Sequence, residues 1–244
     1  MVQTIPTDSF ATVILTRPRL ASDAFIADFE PILEGVSILV SPLLEIVPTN
    51  YSADATGYLG VVFTSANGVL NGGIPIDVPA FCVGDATTEM AIQHGWNAQS
   101  LGATSQELIA ALKDLGPKGP LLHIGGRHRR GDVAMHLTRS GMKTDTIDVY
   151  DQRLIPLSTE AKSVLRGEKP VIVPLFSPRT ARQFAAEADV TAPVHFVAIS
   201  DSVLAEVTTM SYVSQHVSSA PDAKSVSETL RNVLRRVEAD DAAQ

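Results

Sequence analysis

The sequence has very few of the residues that build disulfide frameworks or thiolate metal sites. Cys82 is the only cysteine among 244 residues, so an internal disulfide is impossible and a cage of several thiolates is excluded. The six histidines are scattered, and none forms a ligand pair at helical spacing. A nucleophile elbow and a cysteine–histidine couple are also missing from the sequence. We therefore expect neither metal-dependent nor covalent catalysis.

Long apolar runs and an excess of basic residues are missing as well. No stretch approaches the roughly 18 consecutive apolar residues of a membrane span, and the first residues lack the features of a secretion signal. The chain has 19 Lys and Arg against 27 Asp and Glu, a formal charge of -8, which argues against a general nucleic-acid binder. We expect a cytoplasmic protein that binds neither membranes nor nucleic acid, although local cations could still bind a small anion.

Short apolar runs alternate with helical patterns along almost the whole chain. Residues 12–16 predict a strand, residues 21–33 have the apolar spacing of a helix, and residues 37–40 predict a second strand. Further strands are predicted at VVFTS (61–65), FCVG (81–84), LLHIGG (121–126), VIVPLFS (171–177) and HFVAIS (195–200). This alternation predicts an α/β fold in which helices cover both faces of parallel sheets.

Three motifs recur in the same order along the chain. The pairs are TSANGV (64–69) with FSPRTA (176–181), FCVGDATTEMA (81–91) with FVAISDSVLAEV (196–207), and SQELIAAL (105–112) with SVSETLRNVL (225–234). Such repetition indicates two units of similar design. The count of about ten strands also exceeds what one compact parallel sheet usually contains. We therefore predict two similar, flavodoxin-like parallel-sheet domains.

Two extended segments mark the predicted domain boundaries. Segments 42–48 and 149–156 both alternate in polarity and both end in proline, as the two strands of a linker would. If they pair, residues 47–150 form an inserted domain. The outer pieces, residues 1–46 and 151–244, then fold together as a discontinuous domain.

Hydroxyl and amide side chains stand where several predicted strands meet the following helix. The first N–H groups of a helix lack internal partners and its dipole favours an anion, so ligand carboxylates or phosphates could bind there. Ligands of open α/β sheets bind beyond the carboxyl ends of the strands, where these side chains lie. The alternative is that each side chain only caps its helix. The candidates are Thr64, Ser65, Asn67, Thr87, Ser177, Ser200 and Ser202.

Two arginines are candidates for contacts with an acidic ligand. Arg17 follows the first strand and could pair bidentately with a carboxylate, or it could form a surface salt bridge. Arg127 belongs to GGRHRRGD (125–132), the densest basic cluster, which could guide an acidic substrate or remain a solvated loop. This cluster lacks the glycine spacing and the Lys-Ser/Thr ending of a phosphate loop.

Tyr150 is the candidate proton donor. We predict that it ends the strand TIDVY (146–150), at the hinge between the two domains. A phenol in a cleft can donate a proton to a leaving group. The alternative is a tyrosine that only packs in the core.

Six segments together resemble the uroporphyrinogen-III synthases, enzymes that close the tetrapyrrole ring without a cofactor. The segments are VILTRP (13–18), VVFTSANGV (61–69), FCVGDATTEMA (81–91), VYDQR (149–153), FSPRTA (176–181) and SVSETLRNVL (225–234). The resemblance implies two α/β domains joined by a two-stranded β linker, with the active-site cleft between them. It also implies a lyase of haem, sirohaem and cobalamin biosynthesis. Such an enzyme cyclises hydroxymethylbilane to uroporphyrinogen III with loss of water and inversion of ring D.

The resemblance also implies roles for individual residues. Tyr150 matches the tyrosine that is thought to help the substrate hydroxyl depart, on a route through an azafulvene and a spiro-pyrrolenine. Thr87 matches the threonine of a glycine-x-alanine-threonine turn. Ser65 and Ser177 match the strand-end serines of the two domains, and Ser202 falls at a threonine of the second domain's turn.

The chain departs from the family pattern at that second turn. The family usually has glycine where Ser200 stands, and two adjacent hydroxyl residues where Ser202 and Val203 stand. This departure leaves open a non-catalytic two-domain protein that binds an anionic metabolite. A sugar-nucleotide transferase with two α/β domains is disfavoured, because the sequence has no clear nucleotide-binding carboxylate or glycine loop.

The expected partner is a linear tetrapyrrole with eight carboxylates. The chain has no cluster of eight cations, so backbone amides at helix starts would supplement Arg17 and Arg127. We expect a monomer that has no cofactor and makes transient contact with the enzyme preceding it in the pathway.

Overall fold

The computed structural model describes residues 9–29, 35–51, 53–117, 119–129 and 131–242. Within these ranges there are eleven strands and nine α-helices. The strands are β1 (Ala11–Leu15), β2 (Val36–Val40), β3 (Leu44–Pro48), β4 (Gly60–Phe63), β5 (Pro79–Cys82), β6 (Asn97–Ser100), β7 (Leu121–Gly126), β8 (Thr144–Leu154), β9 (Val171–Leu175), β10 (Val194–Ala198) and β11 (Ser214–Val217). The helices are α1 (Arg19–Phe29), α2 (Ala66–Leu70), α3 (Asp85–Gln93), α4 (Ser105–Leu115), α5 (Val133–Arg139), α6 (Thr159–Leu165), α7 (Pro178–Glu187), α8 (Asp201–Leu204) and α9 (Ala223–Asp241).

The predicted α/β fold with two mostly parallel sheets is confirmed. The strands predicted between residues 12 and 200 are all present, and α1 is the helix predicted from residue 21. Residues 30–33 of that predicted helix lie outside the described residues. Within the described ranges, no helix combines the length and the apolar character needed to cross a membrane.

The chain divides into two compact units. Unit 1 consists of Met1–Glu45 and Leu154–Gln244, and unit 2 consists of Ile46–Arg153. The sheet of unit 1 is parallel and has the order β11-β10-β9-β1-β2. Its two faces form separate cores, one under α6, α7 and α8 and the other under α1 and α9. Neighbouring residues of β1 alternate between them, since Ile14 packs in the first core and Val13 in the second.

The six-stranded sheet of unit 2 has the order β3-β8-β7-β4-β5-β6. Helices α2 and α3 cover one face, and α4 and α5 cover the other. The strands from β4 to β8 are parallel. The segment that contains β3 runs antiparallel to β8, because Thr49 N–H bonds to Val149 C=O while Ile155 N–H bonds to Leu43 C=O. The two extended segments that the sequence predicts as linker strands therefore do pair.

The parallel strands of the two units have the same spatial arrangement but different chain order. Counted along the chain, unit 1 has the order 2-1-3-4-5, which is that of flavodoxin-like folds. In unit 2 the chain enters at β4, the equivalent of β9, so the same arrangement reads 3-2-1-4-5. The repeated motifs occupy equivalent positions, since β4-α2 corresponds to β9-α7, β5-α3 to β10-α8, and α4 to α9. The internal repetition in the sequence thus reflects two permuted copies of one arrangement.

Gly68 allows α2 to approach β7 closely. A Cβ atom at this position would lie 2.7 Å from the carbonyl oxygen of Ile124, a backbone atom near the end of β7. The first turn of α2 is fixed by its N-cap, because the Ser65 hydroxyl accepts a bond from the Asn67 N–H at 3.2 Å. Because Gly68 has no side chain, the start of α2 can lie against the carboxyl end of β7.

We predict that Gly68→Ala destabilises the protein, against the usual preference of helices for alanine. The new methyl group collides with the backbone of β7, which we expect to lower the free energy of unfolding by about 1–3 kcal/mol. Chemical denaturation gives the measurement. The control is Ala110→Gly on the exposed side of α4, which measures the ordinary preference of a helix for alanine over glycine. This control should lower the free energy of unfolding by about 0.5–1 kcal/mol. A Gly68→Ala variant as stable as the unmodified protein would contradict the close approach.

Candidate functional site

The turn between β4 and α2 carries two of the predicted site residues. Ser65 has an extended backbone and caps α2 through its hydroxyl. Thr64 lies half-buried beside it, and its Oγ1 is 3.2 Å from Nε2 of His123 on β7. Asn67 is half-buried in the first turn of α2. Three predicted residues therefore lie together at the carboxyl end of β4.

Tyr150 lies inside β8, so the prediction that it ends its strand is wrong. The strand continues to Leu154 because its residues beyond Tyr150 lie beside the β3 segment, whose Leu43 carbonyl accepts the Ile155 N–H. The aromatic ring packs against the bare α-carbon of Gly126, where a Cβ atom would be 2.4 Å from the ring. Only 4% of Tyr150 is exposed. The phenol is thus enclosed by unit 2 rather than displayed at a strand terminus.

The Tyr150 hydroxyl has polar neighbours in spite of its burial. Burial raises the pKa of the phenol above its ordinary value, while hydrogen bonds with the Ser65 and Gln152 side chains and the charge of Arg129 act in the opposite direction. The net effect is a raised pKa. The group therefore holds its proton at neutral pH, and Ser65, Gln152 and the charge of Arg129 would favour the phenolate.

The arginines of the basic cluster have different environments. Arg127 is 59% exposed along its side chain and pairs with Asp151 at 3.1 Å, so its guanidinium extends toward solvent. Arg129 is 27% exposed; it donates to the Gly126 carbonyl oxygen at 2.7 Å and pairs with Asp148. Sequence reasoning selected Arg127 and missed Arg129. Arg127 and Arg129 are alike in the sequence, and only the fold distinguishes these two; Arg130 lies outside the described residues.

His123 is a buried histidine that sequence reasoning did not select. It is 2% exposed, and burial, with a smaller contribution from Arg129, lowers its pKa from the ordinary value of 6.5 to about 4. The imidazole is therefore neutral at physiological pH and contacts Thr64. Its place within the apolar strand LLHIGG could have marked it, because a histidine in such a strand must find a polar partner.

The remaining threonine and serine of the predicted site differ in exposure. Thr87 is buried in the first turn of α3, three residues after the cap residue Gly84. Ser202 is exposed in α8, two residues after the cap residue Ser200, and the two hydroxyl groups bond to each other at 3.0 Å. The position equivalent to Thr87 is Val203, which has no hydroxyl. The turn in unit 1 therefore has no hydroxyl at the position where Thr87 provides one in unit 2.

Unit 1 brings Arg17 and Ser177 close to the same aromatic ring. The guanidinium carbon of Arg17 lies 4.2 Å from the ring centre of Phe176, a cation–π contact. Among the described residues, no carboxylate lies within ion-pairing distance of Arg17, so the salt-bridge alternative does not hold there. The neighbouring Ser177 caps α7 and bonds to the hydroxyl of Thr180 at 2.8 Å.

The predicted residues are divided between the two units. Unit 2 holds Tyr150 with the residues that begin α2, and the backbone N–H of Arg127 bonds to the Tyr150 carbonyl at 3.0 Å. Unit 1 holds Arg17 and Ser177, with Ser202 at the start of another helix. In the part of the chain that the structure describes, no group of three His, Cys, Asp or Glu side chains could hold a metal ion.

A protein-family model described as uroporphyrinogen-III synthase HemD matches residues 33–228. The chain belongs to the uroporphyrinogen-III synthase family. This result confirms the resemblance drawn from the sequence motifs. The match includes Tyr150 and the α2, α3, α7 and α8 helix starts, whereas Arg17 lies before its first residue. No curated protein matches the chain significantly in sequence.

Solved structures of uroporphyrinogen-III synthases resemble this chain in fold. The enzyme from Helicobacter pylori 26695 has a TM-score of 0.65 at 13% identity, over 91% of this chain and 99% of that chain. A mutant enzyme from the extremely thermophilic bacterium Thermus thermophilus gives a TM-score of 0.47 at 13% identity, over 93% and 99% of the two chains. The likeness in fold rests on the Helicobacter pylori structure, because at these identities only a TM-score above 0.5 is informative.

We predict that His123 makes the protein less stable in acid. The folded protein holds this imidazole neutral down to a pKa of about 4, whereas the unfolded chain takes up the proton near pH 6.5. The contribution of the neutral His123 to the free energy of unfolding is therefore fully present above pH 6.5 and is lost as the pH falls toward about 4. The difference between the two pKa values corresponds to about 3 kcal/mol of unfolding free energy.

His123→Gln is the matched variant, since glutamine can bond to Thr64 but does not titrate. Denaturant unfolding at neutral pH and at pH about 4.5 should show a larger loss of stability for the unmodified protein than for the variant. Equal losses in the two proteins would show that His123 is not held neutral by the fold.

Proposed function

We propose that this protein is an active uroporphyrinogen-III synthase. It converts linear hydroxymethylbilane to uroporphyrinogen III with loss of water and inversion of ring D. The observation that carries the proposal is the buried, protonated phenol of Tyr150 beside Ser65, in a chain of this family. A single proton donor is sufficient, because ring closure is easy once the hydroxyl has left.

Tyr150 acts in this proposal as the general acid for loss of the substrate hydroxyl. The C–O bond breaks with its electron pair going to oxygen, the pyrrole nitrogen supplies electrons to the carbon, and an azafulvenium cation forms in which the nitrogen keeps its proton. The phenol proton of Tyr150 goes to the departing oxygen, which leaves as water. The residual phenolate is stabilised by Ser65, Gln152 and Arg129. A positioned acid of this kind accelerates a reaction by about 10²–10⁴-fold.

The choice of isomer depends on how the substrate is held, because the uncatalysed ring closure yields the other isomer. Orientation of a bound substrate can contribute several kcal/mol to a barrier. We propose Arg17 as a contact for a substrate carboxylate, since its guanidinium stacks on Phe176 and meets no carboxylate of the described residues. Arg127 would leave its ion pair with Asp151 and pair with a carboxylate of the substrate instead. Further proposed contacts are Thr64, Ser65, Asn67, Thr87, Ser177 and Ser202.

We predict that the purified protein converts freshly prepared hydroxymethylbilane mainly to the type III isomer. Chromatography of the oxidised products separates type III from type I, and buffer without protein gives the uncatalysed product. Formation of type I alone would overturn the proposal. Protection of the protein against unfolding by hydroxymethylbilane, without product, would identify a binding protein instead.

We predict that Tyr150→Phe lowers kcat by about 10²–10⁴-fold, because it removes the proton donor and keeps the ring on Gly126. Initial rates of substrate consumption give the measurement. Tyr58→Phe is the matched control in the same unit, since it removes a phenol that bonds to Asp145 at 3.0 Å and not to the site. A Tyr150→Phe variant with unchanged kcat would remove Tyr150 from the mechanism.

A further inference from the structure

The register of β7 and β8 is irregular directly beside Tyr150. Gly125 pairs with Asp148, but the next residue, Gly126, pairs with Tyr150, so that Val149 is the extra residue of a bulge on β8. Val149 and Tyr150 both pack in the core under α2 and α3, although neighbours in a regular strand point to opposite faces. Bulges re-aim side chains and are frequent next to active sites. The direction of the Tyr150 side chain therefore depends on the interactions that hold this bulge.

Arg129 bridges the two strands at the bulge. Its Nη1 donates to the carbonyl oxygen of Gly126 on β7 at 2.7 Å and also pairs with the carboxylate of Asp148 on β8. The side chain crosses the bare α-carbon of Gly125, where a Cβ atom would be 3.6 Å from the Arg129 Cδ. One guanidinium thus contacts both strands on either side of the extra residue.

The peptide group between Gly126 and Arg127 is held at both of its polar atoms. Its carbonyl oxygen accepts the bond from Arg129, and its N–H donates to the Tyr150 carbonyl at 3.0 Å. The α-carbon of Gly126 is the surface on which the Tyr150 ring packs. An arginine that fixes this peptide therefore fixes both the strand that carries the tyrosine and the surface beneath its ring.

We propose that Arg129 and Asp148 are positioning residues for Tyr150. Together they hold the bulge in the register that directs the phenol toward Ser65. The consequence for turnover rests on the proposed function, whereas the consequence for the position of Tyr150 is a property of unit 2 alone. The guanidinium charge also stabilises the phenolate that remains after proton transfer. The two effects can be measured separately.

The position of Tyr150 can be followed by NMR of ring-labelled tyrosine in the complete chain. The protein has four tyrosines, and the Tyr150→Phe spectrum identifies the Tyr150 signal. We expect Arg129→Met to shift or broaden this signal. The signal of Arg129→Lys should lie closer to that of the unmodified protein, and Asp148→Asn should show part of the change seen in Arg129→Met. Arg166→Met removes an exposed Arg–Asp pair in unit 1 and should leave the signal unchanged.

Turnover with hydroxymethylbilane gives the second readout. We expect Arg129→Met to lower kcat by about tenfold to a hundredfold with little change in KM, since a misplaced catalytic group slows the chemical step. The double variant Arg129→Met/Tyr150→Phe should be no slower than Tyr150→Phe alone. A further large loss in the double variant would show that Arg129 does not act through Tyr150.

The two proposals fail in different ways. An unchanged Tyr150 signal in folded Arg129→Met and Asp148→Asn would overturn the positioning role, even if Tyr150→Phe is slow. A shifted signal together with unchanged turnover in Tyr150→Phe would support the positioning role and overturn the general-acid role.

Discussion

The packing of the Tyr150 ring on the bare α-carbon of Gly126 is the contact on which the position of this phenol depends. The ring could not occupy this place if position 126 had a side chain. The bulge at Val149 directs Tyr150 into the core beside its already buried neighbour. Gly68 lets α2 approach the end of β7, and the side chain of Ser65, which caps α2, bonds to the phenol. Two glycines on different elements thus make room beside this site.

Burial and polarity oppose each other at this phenol. Burial raises the pKa of Tyr150, while Ser65, Gln152 and the charge of Arg129 act to lower it, so that the polar neighbours offset part of the cost of a phenolate at this place. A neutral His123 nearby adds no competing positive charge and contacts Thr64. In unit 1, Ser177 is the counterpart of Ser65, but Val203 stands at the position of Thr87, and Arg17 stacks on Phe176. The two permuted units therefore differ most in their chemistry.

Much of the fold and part of the site could be predicted from local patterns. The strand–helix alternation predicted the α/β class, and the motif pairs predicted two similar units, because strand burial and helix capping depend on residues that are close in sequence. Ser65 and Ser177 are helix caps for the same reason. The β8 strand was harder to predict. Residues 146–150 and 149–156 were separate extended segments in the sequence, but the structure has one strand, since a bulge interrupts the alternation.

The sequence by itself determined the strands and helices, their order and the family. The apolar periodicity, the helix caps and the motif spacing on which these depend all involve residues that are close in sequence. Tertiary structure alone decided that Arg129 rather than Arg127 turns back toward the strands, and that Tyr150 lies on Gly126. The positions of these side chains depend on which backbone atoms of β7 and β8 lie next to each other, although more than twenty residues of chain separate them. Long-range strand register sets such contacts, and the bulge at Val149 shifts this register by one residue from the one that regular alternation would give.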